Sequence, residues 1–194
     1  MFSVTHKEVC LCDSCSRKFV PKFKEFKVDG IKGLAIYDYD ETIRSYLYQF
    51  KGCFDIELAN VFLERYYSEL SINYSGYKIV PVPSFNEDDE IRGFNHVEEI
   101  FKKLKLPILK LIRKTSHFKQ AEHSGNSRID IKEHLVLTNH DSLKGTKILL
   151  VDDVFTTGST VRTCIKLLME LNPKSIKVLV MSKTPYKNTL AQTN

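Results

Sequence analysis

Lys147–Thr160 reads KILLVDDVFTTGST, and the order of residue types along it decides the fold. Ile148, Leu149, Leu150 and Val151 form an unbroken apolar run rich in branched side chains. A strand with one wet face alternates apolar and polar residues, so a run without alternation predicts a strand covered on both faces, as in a parallel sheet. Downstream, Val161, Cys164, Ile165, Leu168 and Leu171 recur at helical spacing. Strand, tight loop and helix in that order predict an α/β architecture.

The loop between them carries the chemistry. Thr156, Thr157, Gly158, Ser159 and Thr160 are small and hydroxyl-rich, and they end at a helix start. A helix start presents backbone N–H groups without intrahelical partners and the positive end of the helix dipole, which together attract a phosphate. Gly158 lets the backbone come close, and the neighbouring hydroxyls add hydrogen bonds to the same anion. Asp152 and Asp153, at the carboxyl end of the strand, can accept from sugar hydroxyls. Phosphate and diol are expected side by side.

VDDVFTTGST resembles the 5-phosphoribosyl-1-pyrophosphate (PRPP) signature of type I phosphoribosyltransferases, and its surroundings resemble the ComF (GntX-like) competence branch of that family. The resemblance implies a Rossmann-like parallel sheet flanked by helices, with a small N-terminal hood. It implies that Asp152 and Asp153 hold the ribose hydroxyls, and that Phe155, Thr156, Thr157, Gly158, Ser159 and Thr160 wrap the 5-phosphate. Mg²⁺ accompanies PRPP in the family. The cellular setting it implies is DNA uptake during natural transformation, with single-stranded DNA and a helicase among the partners.

The composition sets limits. A chain of 194 residues, 42% hydrophobic, can bury a full α/β core and a small appendage. No apolar stretch approaches the ~20 residues of a membrane span, and MFSVTHKEVC lacks the apolar segment of a signal peptide, so a cytoplasmic location is expected. The net charge of +5 is modest and spread along the chain, which reads as solvated lysine before it reads as a nucleic-acid surface. Five cysteines, an odd number, fit a reducing compartment better than a disulfide framework.

Residues 1–52 are expected to form the cysteine-containing and hairpin segment, and 53–194 the phosphoribosyltransferase-like domain. Cys12 and Cys15 stand at the C-x-x-C spacing with which two thiolates reach one tetrahedral zinc, and Cys10 lies close by. The ComF-like family carries a four-cysteine zinc module here, but no second C-x-x-C follows in this chain. Zinc on Cys10, Cys12 and Cys15 and ordinary thiols both stand as readings. FKVDGIKGLAIYDY, residues 26–39, alternates around Asp29-Gly30 and predicts a hairpin. Asp40 is the expected N-cap of a helix closed by Gly52, and Asp55 that of a second helix through Leu58, Phe62, Tyr66 and Leu70. Their aromatic residues read as core.

YKIVPV, ending at Val82, predicts a buried strand from which the chain turns at Pro83-Ser84. This looks like the family's pyrophosphate loop. Arg92-Gly93-Phe94-Asn95 matches the RGFN signature of the ComF-like branch, which makes Arg92 a candidate for a ligand anion or a hood contact. Glu87–Glu90 departs from the pattern: four consecutive acids stand where relatives carry basic residues. Such a run repels bare pyrophosphate unless Mg²⁺ reverses the local sign, or it is a solvated loop facing away. Phe94, Val97, Ile100, Phe101 and Leu104 predict a helix, followed by a strand from Ile108 to Ile112. Gln120 and Arg128 match the family's closing loop, to which Lys114 and Lys119 add positive charge, and His117 and His123 lie in the same loop. Ile176–Met181 predicts a further buried parallel strand.

Three functions fit these residues. One is a PRPP-dependent transferase whose acceptor the motif does not name. Another is a catalytically silent module that keeps the PRPP or nucleotide pocket and binds single-stranded DNA or a helicase, with Tyr66, Tyr67, Tyr74 and Tyr77 as unassigned aromatics. The third is a PRPP-sensing regulator.

Overall fold

The computed structural model describes residues 12–84, 89, 92–115 and 135–185. Its main sheet has five strands: β1 (Lys24–Val28), β2 (Ile31–Asp38), β3 (Tyr77–Pro81), β6 (Lys147–Phe155) and β7 (Ser175–Lys183). They stand in the order β1-β2-β7-β6-β3. β1 and β2 are antiparallel, and every other pairing is parallel. The hairpin turn places Asp29 and Gly30 at φ of 48° and 81°. Two positive φ values in a two-residue loop make the turn that matches strand twist, which is why the Asp-Gly pair sits there.

β6 lies between β7 and β3, and Ile148, Leu149, Leu150 and Val151 are fully buried. Side chains alternate along a strand, so the run feeds two cores. Ile148 and Leu150 pack with Val161, Cys164, Ile165 and Leu168 of the helix Ser159–Glu170. Leu149 and Val151 face the opposite layer, with Ile43, Leu47 and Phe50 of α2 (Glu41–Gly52). That layer also holds α3 (Ala59–Leu63), α4 (Tyr67–Asn73) and α5 (His96–Phe101). With the four-residue α1 (Asp13–Ser16) near the start, the helix after β6 is α6. The expected architecture, a parallel sheet flanked by helices, is the observed one.

Asp40 caps α2 by accepting from the Ile43 N–H at 2.9 Å. Two expectations need correction. The helix foreseen from Asp55 is broken into a 3₁₀ turn, Ile56–Leu58, then α3 and α4. Asp55 makes no side-chain cap, and the chain turns at Tyr66 so that the Tyr67 hydroxyl shares its one proton between the carbonyls of Ala59 and Ile100, at 3.3 and 3.2 Å. The strand foreseen over Ile108–Ile112 is also split. Ile108 makes one parallel bridge to Ile79, while β4 (Ile112–Lys114) pairs with β5 (Leu135–Leu137) in a separate antiparallel ribbon. Four branched apolar residues in five satisfied the pattern for one strand, but Leu111 and Ile112 pack into the α6 side of the core, where the ribbon runs.

Candidate functional site

Continuing the alternation past Val151 sends Asp152 and Asp153 toward opposite faces of β6. Asp153 enters the layer of α2 and α5, where it is buried. Its Oδ2 is ion-paired with the Lys51 ammonium, and its Oδ1 lies 3.8 Å from His96 Nε2. Beyond that ammonium, Oδ2 meets no hydrogen-bond donor among the described residues. The His96 contact is longer than a hydrogen bond. Asp152 is half-buried, and its Oδ1 accepts the Asp153 N–H at 2.9 Å.

The two carboxyls therefore have opposite electrostatics. Burial pushes Asp152 well above the usual carboxylate range, and the adjacent Asp153 charge pushes it the same way. Burial acts on Asp153 too, but Lys51 first and then His96 outweigh it and hold Asp153 well below that range. Arg92 Nη1 donates to His96 Nδ1 at 3.2 Å. Arginine can only donate, so that ring nitrogen accepts, and a neutral ring carries its proton on Nε2, facing Asp153. Burial favours the neutral form and lowers the His96 pKa; the pull of Asp153 opposes it, and Lys51 and Arg92 reinforce it.

A cleft of about 340 Å³ opens over this pair, and it gathers much of the expected site: Asp152, Asp153, Thr160, Pro83, Ser84 and Arg92. Lys51, His96 and Lys114 line it as well. A larger hollow of about 430 Å³ lies on the other flank of β6, around Lys24, Phe155 and Lys183. It holds neither of the paired acids.

The loop is built for close approach. Gly158 has φ +76°, and a Cβ there would meet the Phe155 ring at 2.4 Å. Phe155 itself lies in the core against Phe26, with ring centroids 4.7 Å apart, and supports the loop from below instead of lining the cleft. Thr156 and Thr157 are exposed at the loop tip, and Ser159 is half-buried. Gly158 at the N-cap has no side chain to cap α6, Thr157 Oγ1 accepts from the Ser159 N–H at 3.4 Å, and first-turn N–H groups lack intrahelical acceptors. Arg162 braces the loop by donating to the Thr157 carbonyl at 2.8 Å and pairing with Asp29 at 3.3 Å.

Arg92 is an internal brace with a side chain 10% exposed. It donates to Asp89 Oδ1 at 3.0 Å and reaches the Lys51 carbonyl at 3.4 Å, tying the RGFN turn to the end of α2. Asp89 also accepts from Ser84 Oγ at 2.6 Å and from Asn95 Nδ2 at 2.8 Å. Of the four acids in Glu87–Glu90, this is the described one, and its charge is met by Arg92 within the network.

Lys51 and His96 had no place in the sequence-level site. The signals were Lys51 in Phe50-Lys51-Gly52 and His96 one residue past the RGFN match, but only the fold brings them to β6. Gln120, Arg128, Lys119, His117, His123 and Cys10 lie outside the described residues. Cys12 is exposed and Cys15 half-buried, and the Tyr46 hydroxyl hydrogen-bonds Cys15. Among the described residues no three His, Cys, Asp or Glu side chains are grouped to hold a metal. Tyr67, Tyr74 and Tyr77 are buried, as core aromatics are expected to be, and Tyr66 packs against the same core. No helix among the described residues is long and apolar enough to cross a membrane.

Compared with known proteins, residues 90–189 match the phosphoribosyl transferase domain family, just over half of the chain. The chain is 29% identical over 138 residues to competence protein ComFC of Bacillus subtilis (strain 168), covering 70% of this chain and 57% of that protein. It is 28% identical over 148 residues to competence protein ComFC of Streptococcus pneumoniae, covering 76% and 66%. The chain thus spans less than two thirds of either relative's length. Among solved structures, a hypoxanthine phosphoribosyltransferase from Staphylococcus aureus overlaps with a TM-score of 0.39 at 16% identity, covering 66% of this chain and 72% of that one. One from Trypanosoma cruzi overlaps with 0.41 at 14%, covering 71% and 88%.

Proposed function

The chain belongs to the phosphoribosyl transferase domain family, and on that premise we propose that its cleft binds PRPP with Mg²⁺ and transfers the phosphoribosyl group to an acceptor, in the service of DNA uptake during natural transformation. One observation carries this reading: Asp152, Asp153 and Thr160 share a cleft with Pro83 and Ser84, the turn after β3. The α6 start and the Thr156–Thr160 loop offer N–H groups and hydroxyls to the 5-phosphate. The carboxylates accept from the ribose hydroxyls.

The donor set suits Mg²⁺ carried in on the ligand. Two adjacent carboxylates stand at the cleft, and no cage of three protein donors exists among the described residues. Mg²⁺ characteristically takes one or two carboxylates and completes its shell with phosphate oxygens and water. Asp152 and Asp153 are the residues that would hold it, and bound there it would supply positive charge to neutralise departing pyrophosphate. The chain's own part is positioning and field: positive charge develops on the ribose ring as the leaving group departs, and the acid pair lies where that charge is stabilised.

Titration calorimetry tests the reading. The unsubstituted chain is expected to bind PRPP only with Mg²⁺, and Asp152→Ala combined with Asp153→Ala is expected to abolish binding. Unchanged affinity in the double variant removes the central claim. Pyrophosphate release from PRPP, screened across bases, amines and DNA ends, separates a transferase from a module that only holds the ligand.

A further inference from the structure

Two side chains back the loop before α6 from the flank of the larger hollow. Phe155 lies against Gly158, and Arg162, in the first turn of α6, holds Thr157. Both border that hollow, and neither lines the cleft with Asp152 and Asp153. Arg162 uses two nitrogens of its guanidinium: Nη1 donates to the Thr157 carbonyl at 2.8 Å, and Nε reaches Asp29 Oδ1 in the β1–β2 turn at 3.3 Å. A planar fork held at two points has a fixed direction, which a single contact does not give.

The peptide that carries the Thr157 carbonyl also carries the Gly158 N–H. In a planar trans peptide these groups point in opposite directions, so holding the carbonyl toward Arg162 turns the N–H away from it. Among the described residues the Gly158 N–H meets no acceptor. The glycine does not by itself choose this orientation. Its φ of 76° and ψ of 11° are the values of the third residue of a type II turn. Turning the preceding peptide over gives the type I values, which glycine adopts as readily. In the turned-over form the carbonyl and the N–H exchange sides, and an oxygen stands where an anion needs a donor.

We propose that Arg162 is a positioning residue for a phosphate monoester: without touching the ligand, it selects the peptide orientation in which the Gly158 N–H faces the phosphate. The inference rests on the reading of this loop as the 5-phosphate site and adds to it what holds the loop in its receptive form. It also gives the β1–β2 turn a part in the site, since Asp29, 133 positions away in the sequence, holds the other edge of the guanidinium.

The test pairs calorimetry with amide NMR on the full chain, using ribose 5-phosphate as the probe. Arg162→Met is expected to weaken ribose 5-phosphate binding by about tenfold, the loss expected when about one molecule in ten holds the receptive orientation. In the ligand-free variant the Gly158 amide signal is expected to be displaced or exchange-broadened relative to the unsubstituted chain. Saturation with the probe should bring the two signals together, because the phosphate then selects the orientation that the arginine no longer does. Arg162→Ala gives the same readout should the methionine variant not fold. A purely structural brace would lower the urea midpoint and leave both readings unmoved. An affinity unchanged within about twofold, or a Gly158 difference as large at saturation as in the ligand-free chain, overturns this inference alone. If the unsubstituted chain binds neither ribose 5-phosphate nor PRPP, the reading of the loop falls and this inference with it.

Discussion

Gly158→Ala separates backbone geometry from ligand chemistry at the phosphate loop. The position has φ +76°, a region where a Cβ crowds the carbonyl and costs about 1–2 kcal/mol. The added methyl would also sit 2.4 Å from Phe155 Cζ and 2.8 Å from Cε2, closer than carbon atoms approach. The ring is 7% exposed and packs against Phe26, so it can give only toward the larger hollow that it borders. Forcing an extra methyl into such a contact costs roughly 1–3 kcal/mol. The two effects together predict a loss of about 2–5 kcal/mol, a large part of the ~5–15 kcal/mol that holds a domain of this kind folded. Urea unfolding reads it: at a slope near ~2 kcal/mol per M the midpoint falls by about 1–2.5 M with the slope unchanged. Phe155→Leu in the same background relieves the clash but not the backbone strain, so the double variant should lose less than the sum of the singles. A loss under ~0.5 kcal/mol for the single variant, or additivity within ~0.5 kcal/mol in the cycle, refutes the argument.

Two further outcomes follow from the site. Asp152 is held above its unfolded pKa by burial and by Asp153, so the native state binds its proton more tightly and stability falls as pH rises past the unfolded value near ~3.9. Asp152→Asn should therefore raise the urea midpoint at pH 7, with the gain vanishing near pH ~4, while weakening PRPP binding. Asp153 is depressed, with the opposite sign: Asp153→Asn should lower the midpoint at pH 7, and the deficit should shrink as pH falls below ~4. Either midpoint moving the other way contradicts the assigned environments. For zinc, elemental analysis of the purified protein separates the two readings: about one equivalent, lost in Cys12→Ser, supports Cys10, Cys12 and Cys15 as ligands, and less than about half an equivalent counts against them.

The central strand, the loop and α6 were legible because their signals are local. An apolar run without alternation, a glycine at a positive φ and a helical period each depend on residues within a few positions of one another. The hairpin at Asp29-Gly30 and the Asp40 cap are legible for the same reason. The broken helix after Asp55 was not, because Leu58, Phe62, Tyr66 and Leu70 fit one helical face equally well. What breaks it is tertiary: the buried Tyr67 hydroxyl bridges the carbonyls of Ala59 and Ile100, the latter 33 positions away. Lys51 and His96 were missed likewise, since nothing within a few residues of either predicts a meeting with Asp153.

The adjacent aspartates show what the fold adds to a motif. In the sequence Asp152 and Asp153 are two equivalent carboxylates at a strand end. Alternation along β6 makes them unequal, because one step of the chain turns Asp153 toward Lys51 and His96 and leaves Asp152 on the α6 side. The consequence is a division of labour at neutral pH: Asp153 keeps its charge through its cation, while Asp152 gains most from whatever positive charge arrives at the cleft. An incoming Mg²⁺ or a ribose ring developing positive charge meets that need, and a neutral sugar does not. For the proposed function, such a pair would favour a positively charged or metal-bearing ribose over a plain one. That is the differential binding a phosphoribosyl transfer requires of its site.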